Sequence, residues 1–520
     1  MASQASCVAR KAKSSFKVQS SLLDKPIPNF VPFSFISSKA SSSLVVAMAA
    51  LLDLGPLGHH FETHTYTVIT LGFTTIDATA QKQAVKSLLL AADKIVQVIP
   101  WLGGQVVIEG LTQDDSGTYR VIEYPPHDGP GKSFQVKDCR GIPNVPSYQD
   151  ILSRKAPLSM LHGDTFSPCV GFPNIYPPDQ TMPVVVVQAN LLDGGIFLTF
   201  CGQHNVLDGN ANARFIHHFA RICSGQDLHP DEVEAANTGR PAAIPKTSLD
   251  VSFDSLAYLR RPSSLKDALP VWPPAYGKSR WHCFHLPASS VAELKSIAKT
   301  GSAKVPSTDR EVPFVSTNDV LTAFIWRHML RIQNLEDTSA STNCVRAVNG
   351  RARFDPPISE NHFDHVISCF YSELTVKELL SLPLYSIAEK LRKTLLESAT
   401  SHHFKSFVHL LQTTKDRSTI SYGASMTAND IMLTSFTSQG IYEMNFGKDS
   451  GLGNSEQELQ GYPDIVRRPD LPGGDGIVYI MPQARDGSID VTLHIDDDAV
   501  AALSGGAGSE EWTRWVDYIG

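Results

Sequence analysis

The run Gln203-His204-Asn205-Val206-Leu207-Asp208-Gly209 sets a histidine and an aspartate four residues apart. Ahead of it, Ile196 to Cys201 (IFLTFC) reads as a β-rich run. Behind it, a helix is predicted from Asn210 to Cys223, with Phe215, Ile216, Phe219, Ile222 and Cys223 on one face and Gly225 as its stop. Residues at the ends of rigid elements are well placed to do chemistry. Imidazole is the side chain that titrates closest to neutrality, so His204 can take a proton from a hydroxyl while the oxygen attacks a carbonyl. Such general-base help is worth roughly 10²- to 10⁴-fold in rate. Asp208 has two readings: it orients the imidazole directly, or it caps the following helix and pairs with a distant arginine. An Asp immediately before a helix is an ordinary N-cap, which favours the second.

Other residues with chemical potential are less well arranged. The pairs His59-His60, His217-His218 and His402-His403 do not converge as metal ligands, because neighbouring helical residues point about 100° apart and no acids match them. Cys201 lies three residues before His204, yet its place at the end of an apolar strand fits a buried thiol. The eight cysteines form no CxxC pair or zinc-like spacing and read as reduced thiols of an intracellular protein. Asp496-Asp497-Asp498 reads as the solvated start of a helix.

The elements that must hold His204 follow from periodicity. Tyr66 to Phe73 (YTVITLGF) predicts a strand and Ala80 to Ile99 a helix that stops at Pro100. Val184 to Ala189 and Ile196 to Cys201 flank Leu192-Asp193-Gly194-Gly195, a hairpin signal. Prolines 241, 245, 262, 270, 273 and 274 predict an inter-domain crossover. Beyond it, strands are expected at Trp281 to Leu286, Val345 to Asn349, Ile431 to Phe436, Gly476 to Met481 and Ile489 to Ile495. Helices are expected near Ser290 to Lys299 and from Thr317 to Ile332, the latter behind a capping box of Ser316 and Asp319. Long helices interrupt the strands too often for a barrel or sandwich, so the class is α/β or α+β with two domains of similar size. The expected boundaries are 1–47 for an N-terminal extension, 48–238, a linker at 239–279, and 280–520.

Composition sets the outer limits. The chain has 520 residues, too many for one ordinary compact core, and 42% of them are hydrophobic, enough to fill two. Its 45 Lys and Arg against 53 Asp and Glu leave a net charge of −8 and no basic stripe, which argues against nucleic acid. The apolar run Leu44 to Leu52 is nine residues long, whereas a membrane helix needs about 20, so no membrane span is expected. Residues 1–47 hold twelve Ser, six Lys or Arg and the single acid Asp24. That composition fits a disordered tail, sequence upstream of a start at Met48, or an organellar targeting signal. A cytoplasmic location is otherwise expected.

An HxxxD string is short, and its context carries the discrimination. Here the chain resembles the BAHD-type acyltransferases, and among them the fungal trichothecene 3-O-acetyltransferases, whose motif is HxxxDG between a strand and a helix. Several ordered segments share the resemblance. Val98 to Val106 (VIPWLGGQV) is similar to the family's strand-entry segment, Val315 to Trp326 (VSTNDVLTAFIW) to its second-domain helix start, and Arg346 to Arg351 (RAVNGR) to its R-A-V-D-x-R run. Glu511 to Gly520 is similar to its C-terminal end. The resemblance covers about residue 48 to the C-terminus.

What the resemblance implies is a chloramphenicol-acetyltransferase-like pair of domains, with an active-site tunnel between them that admits acyl-CoA from one face and the acceptor from the other. It implies His204 as general base, Asp208 as the structural residue of the turn and Arg351 as its partner. It gives Thr434, beside Ser435 and Phe436, as a possible donor to the oxyanion. The family's DFGWG segment stands here as Asn445-Phe446-Gly447-Lys448-Asp449, with Asn445 in place of the acid. In the family it supports the CoA side of the site. The implied co-substrate is acetyl-CoA or another acyl-CoA, with no bound cofactor and no metal, and the acceptor is a small hydroxylated metabolite such as a terpenoid or polyketide. A monomer suffices for a self-contained site. Two rivals stay open: a condensation-type enzyme, against which Gln203 stands where HHxxxDG has a histidine, and a catalytically silent CoA-binding protein, which the Asn445 change motivates.

Overall fold

A computed structural model describes residues 50–123, 133–177, 180–239, 244, 253–260, 278–304, 312–453, 460–506 and 508–520. The expected extension 1–47 and most of the linker 239–279, including its prolines, lie outside the described residues.

The first half is organised by a five-stranded sheet. Alternating and β-branched residues build the strands Tyr66–Thr74, Val185–Leu192 and Gly195–Gln203. The last two form the expected hairpin, longer than the sequence indicated, with Gly194 at φ +81° in the turn. Gly195–Gln203 pairs with Tyr66–Thr74 antiparallel over its whole length, so Tyr66 stands opposite Gln203 and the strand end beside His204 is fixed. Phe134–Asp138 lies parallel to Val185–Leu192 at one edge. The helix Ala78–Val98 is capped by Asp77, whose carboxylate accepts from Thr79 N and Ala80 N at 2.8 Å, and it buries Ala84, Leu88, Ala91 and Ile95.

The other edge strand, Ile465–Arg467, comes from far along the chain and pairs antiparallel with Thr70 to Gly72. One segment of the expected second domain therefore completes the sheet of the first. A smaller sheet in the order Ala50–Asp53, Thr118–Glu123, Gln105–Glu109, Met182–Pro183 flanks this half.

The second half is built on a seven-stranded sheet in the order Ile367–Thr375, Ser341–Asn349, Ile431–Ser435, Ile477–Ile480, Ile489–Ile495, Arg280–Leu286, Asp517–Tyr518. The three central pairings around Ile431–Ser435 and Ile477–Ile480 mix parallel and antiparallel ladders. Helix Thr317–Arg331 packs on this sheet with Phe324, Ile325 and Trp326 buried, and its capping box joins Ser316 to Asp319 in both directions. Asp496 caps the helix Asp497–Gly505 through Ala499 N. Apolar packing is continuous between the two large sheets, from Leu71 and Phe200 on one to Val345 and Met432 on the other.

Candidate active site

His204 is the first residue past the strand Gly195–Gln203, and the turn that carries it is held by side-chain amides. Asn205 donates from Nδ2 to Gly58 O at 2.5 Å and to Thr63 Oγ1 at 2.8 Å. Its Oδ1 accepts from Gln203 Nε2 at 2.8 Å, and its main-chain N–H donates to Gln203 Oε1 at 2.7 Å. His204 N–H donates to Thr65 O at 2.7 Å, and Val206 and Leu207 are fully buried beneath the turn. The turn is thus tied to residues 58–65, a partnership invisible in the heptapeptide itself.

The imidazole borders a cavity of about 190 Å³ between the two large sheets. Tyr66 and Val68 line it from the five-stranded sheet, and Ile367, Met432, Thr434 and Tyr479 from the seven-stranded one. His204 Nδ1 is buried in the protein. Burial disfavours the charged ring, and although the Asp208 charge and nearby carbonyls pull the other way, the pKa falls below the ordinary imidazole value. The ring is neutral at physiological pH and can accept a proton.

Asp208 acts as the cap of helix Gly209–Cys223, accepting from Ala211 N at 2.8 Å through Oδ1. Its Oδ2 accepts from Arg351 Nη1 at 2.6 Å and from Val366 N at 2.9 Å, so both carboxylate oxygens are engaged away from the histidine ring. Burial pushes this carboxyl up, but the Arg351 guanidinium and the hydrogen bonds outweigh it and hold the pKa below the usual carboxylate range. Arg351, buried too, donates further to His362 O at 3.0 Å and Asp364 O at 2.9 Å.

Thr434 stands on the cavity wall next to Ser435, whose hydroxyl is engaged by Asn318 Oδ1 and Thr437 Oγ1, each at 3.0 Å. Asn445, Phe446 and Gly447 are not brought to this wall. Asn445 Oδ1 accepts from Gly447 N at 2.7 Å, and Phe446 is buried against Phe73 and Phe219. Gly447 has φ +96° and packs so closely on Ser224 that an added Cβ would lie 2.7 Å from its Cα. These residues brace the far end of helix Gly209–Cys223. The site gains a residue the sequence did not single out: His365 borders the same cavity, with its ring centroid 5.1 Å from that of His204.

The remaining candidates stay apart from the cavity chemistry. Cys201 is fully buried and, like the other described cysteines, is a free thiol. His403 bonds Ser368 Oγ at 3.0 Å and His218 stacks on Phe363. Among the described residues no cluster of three His, Cys, Asp or Glu could hold a metal, and no helix is long and apolar enough to cross a membrane.

The two large mixed sheets, and the cavity between them that His204 and His365 both border, have the arrangement of the two-domain, chloramphenicol-acetyltransferase-like acyltransferases. Residues 65–223 match the trichothecene 3-O-acetyltransferase-like N-terminal domain, and residues 162–503 match the Transferase family. The chain belongs to that family of BAHD-type acyltransferases. It is 30% identical over 463 residues to the O-acetyltransferase azaD of Aspergillus niger, covering 88% of this chain and 94% of that protein. It is 28% identical over 462 residues to the trichothecene 3-O-acetyltransferase of Fusarium sporotrichioides, covering 88% and 94%. The solved structure of the F. sporotrichioides enzyme with coenzyme A and T-2 superposes with a TM-score of 0.79 at 26% identity, covering 91% of this chain and all of that one.

Proposed function

We propose that this chain is an acyl-CoA-dependent O-acetyltransferase that esterifies a hydroxyl of a fungal secondary metabolite, a terpenoid or polyketide, with His204 as the general base. The observation that carries this reading is a His204 that burial keeps neutral and that borders the cavity between the sheets. The relatives support it, since they are O-acetyltransferases and the superposed structure holds coenzyme A and T-2.

In this reading the acceptor O–H gives its proton to His204 Nε2 as its oxygen attacks the thioester carbonyl carbon. The carbonyl π electrons move to oxygen, and the Thr434 hydroxyl donates to that oxyanion. Collapse re-forms the carbonyl and breaks the C–S bond, and the departing CoA sulfur takes the proton from the imidazolium. Ester and free CoA leave with His204 neutral again. Holding both substrates against one side chain removes the entropic cost of a three-body encounter in water. Asp208 and Arg351 act on the shape of the turn. The Asn445 to Gly447 segment supports the CoA side indirectly, through the helix it braces. The working unit is a monomer of two domains, 48–238 and 280–520, with Ile465–Arg467 returned to the first.

The test is release of free CoA thiol from acetyl-CoA by purified protein against a panel of hydroxylated terpenoids and polyketides. Thiol release that requires an acceptor, with the ester found by mass spectrometry, supports the reading. Acetyl-CoA binding without turnover on any acceptor counts against it and favours a binding protein on the same fold.

A further inference from the structure

His365 has no place in the reaction as written, although it stands beside the base. It lies on the segment 362–366, opposite the His204 turn, and the two rings meet edge to face at 67°. His365 Nδ1 is 2.9 Å from the main-chain oxygen of His204. A carbonyl oxygen can only accept, so the proton of neutral His365 sits on Nδ1 and its Nε2 is the lone-pair nitrogen. That Nε2 faces the Tyr422 hydroxyl at 3.4 Å, which also reaches Ile367 O at 3.2 Å. With His204 N–H given to Thr65 O, both polar groups of the His204 main chain are held, one by each half of the molecule.

The segment that delivers His365 is itself gripped by the buried ion pair. Asp208 Oδ2 takes Val366 N–H, immediately after His365, and Arg351 Nη2 takes Asp364 O, immediately before it. His365 N–H donates to Asp364 Oδ1 at 2.8 Å. The aspartate of the HxxxD motif therefore reaches the base by two routes: along its own turn, and across the molecule through residues 364–366.

Resting on the reading of His204 as base, we propose that His365 is a positioning residue for that base: its Nδ1–H holds the His204 carbonyl and fixes the ring, and the Asp208–Arg351 pair acts on His204 through it. Burial, with the neighbouring His204 adding to it, pushes the His365 pKa down to about 3. His365 thus stays an uncharged donor and does not repel the imidazolium that forms on His204 during turnover. Asp208 and Arg351, the charged groups facing it across the segment, act on it in opposite directions.

The test compares His365→Phe, which keeps the bulk and loses the donor, with His365→Asn, whose amide N–H stands where Nδ1–H was. Loss of position at the reacting centre costs about 100-fold in rate. His365→Phe is expected to lower kcat by roughly 10- to 100-fold with KM for acetyl-CoA within about twofold of wild type, and His365→Asn to recover most of the loss. Wild-type kcat in His365→Phe, or an Asn variant as poor as the Phe variant, overturns the proposal. A readout independent of turnover is the tautomer of His365 in the full-length wild-type protein, from two-bond ¹H–¹⁵N couplings of labelled histidine. A proton on Nδ1 is expected, and a proton on Nε2 overturns the contact. His204→Ala separates the two claims: if it retains wild-type kcat, the base reading fails, while the tautomer still judges the contact.

Discussion

Arg351 donates to Asp208 across 2.6 Å, and neither side chain retains any accessible surface. The two residues are 143 positions apart and belong to opposite halves of the chain, Asp208 at the start of a helix beside the five-stranded sheet and Arg351 just past a strand of the seven-stranded one. The pair is consequently a clamp between the halves at the rim of the cavity. Every polar atom of the Asp208 carboxylate is used, which is the condition under which a buried ion pair is tolerated.

Breaking this clamp on one side leaves a buried, unpaired charge. Asp208→Ala and Arg351→Met are each expected to lower unfolding free energy by about 3–5 kcal/mol, read from urea denaturation. The double variant should be less destabilised than the sum of the two, because it strands no charge. Full additivity would show that the two side chains do not depend on each other.

The pH dependence of turnover follows from burial of the base. The active form of His204 is neutral, and its pKa lies below the ordinary 6.5. Activity is therefore retained as pH falls through 6.5, and the acid limb of kcat/KM appears below that value, where a proton occupies the base. An acid limb at or above 6.5, measured with acetyl-CoA saturating and acceptor varied, would show a base that is not desolvated.

Much of this arrangement was legible in the sequence, and the parts that were not share one physical cause. The strand before His204, the helix after it, the cap at Asp208 and the box at Ser316 and Asp319 are local patterns, set by periodicity and by residues a few positions apart. The edge strand Ile465–Arg467 is three residues long and carries no period of its own; it exists because Tyr66–Thr74 offers it a ladder. His365 escaped notice for the same reason, since its partner His204 lies 161 residues away and nothing near His365 resembles a motif. The Asn445 segment, by contrast, was visible as a resemblance, and the structure adds that it packs on a helix end rather than on the cavity wall.

If the Thr434 hydroxyl meets the oxyanion, it matters in the transition state and little in binding. Thr434→Val is isosteric and lacks the donor, and kcat is expected to fall about 100-fold with KM for acetyl-CoA nearly unchanged. Thr434→Ser should retain most activity. A Val variant with wild-type kcat would reduce Thr434 to a β-branched strand residue.

At Asn445 the side-chain oxygen does the work of a carboxylate, accepting the Gly447 N–H that opens the glycine turn. Restoring the acid with Asn445→Asp should leave Tm and KM for acetyl-CoA close to wild type. Asn445→Ala, which removes the acceptor, should cost about 1 kcal/mol in stability. Equal effects of both substitutions would mean that the amide group, and not the shared oxygen, is what the turn requires.

The central claim is that His204 is the base for acyl transfer at this cavity. Its most direct measurement is acceptor-dependent release of CoA thiol by wild type and by His204→Ala, at equal acetyl-CoA binding measured by calorimetry. The account predicts that the variant binds acetyl-CoA as wild type does and loses turnover by about 10²- to 10⁴-fold. Undiminished thiol release from His204→Ala would contradict it.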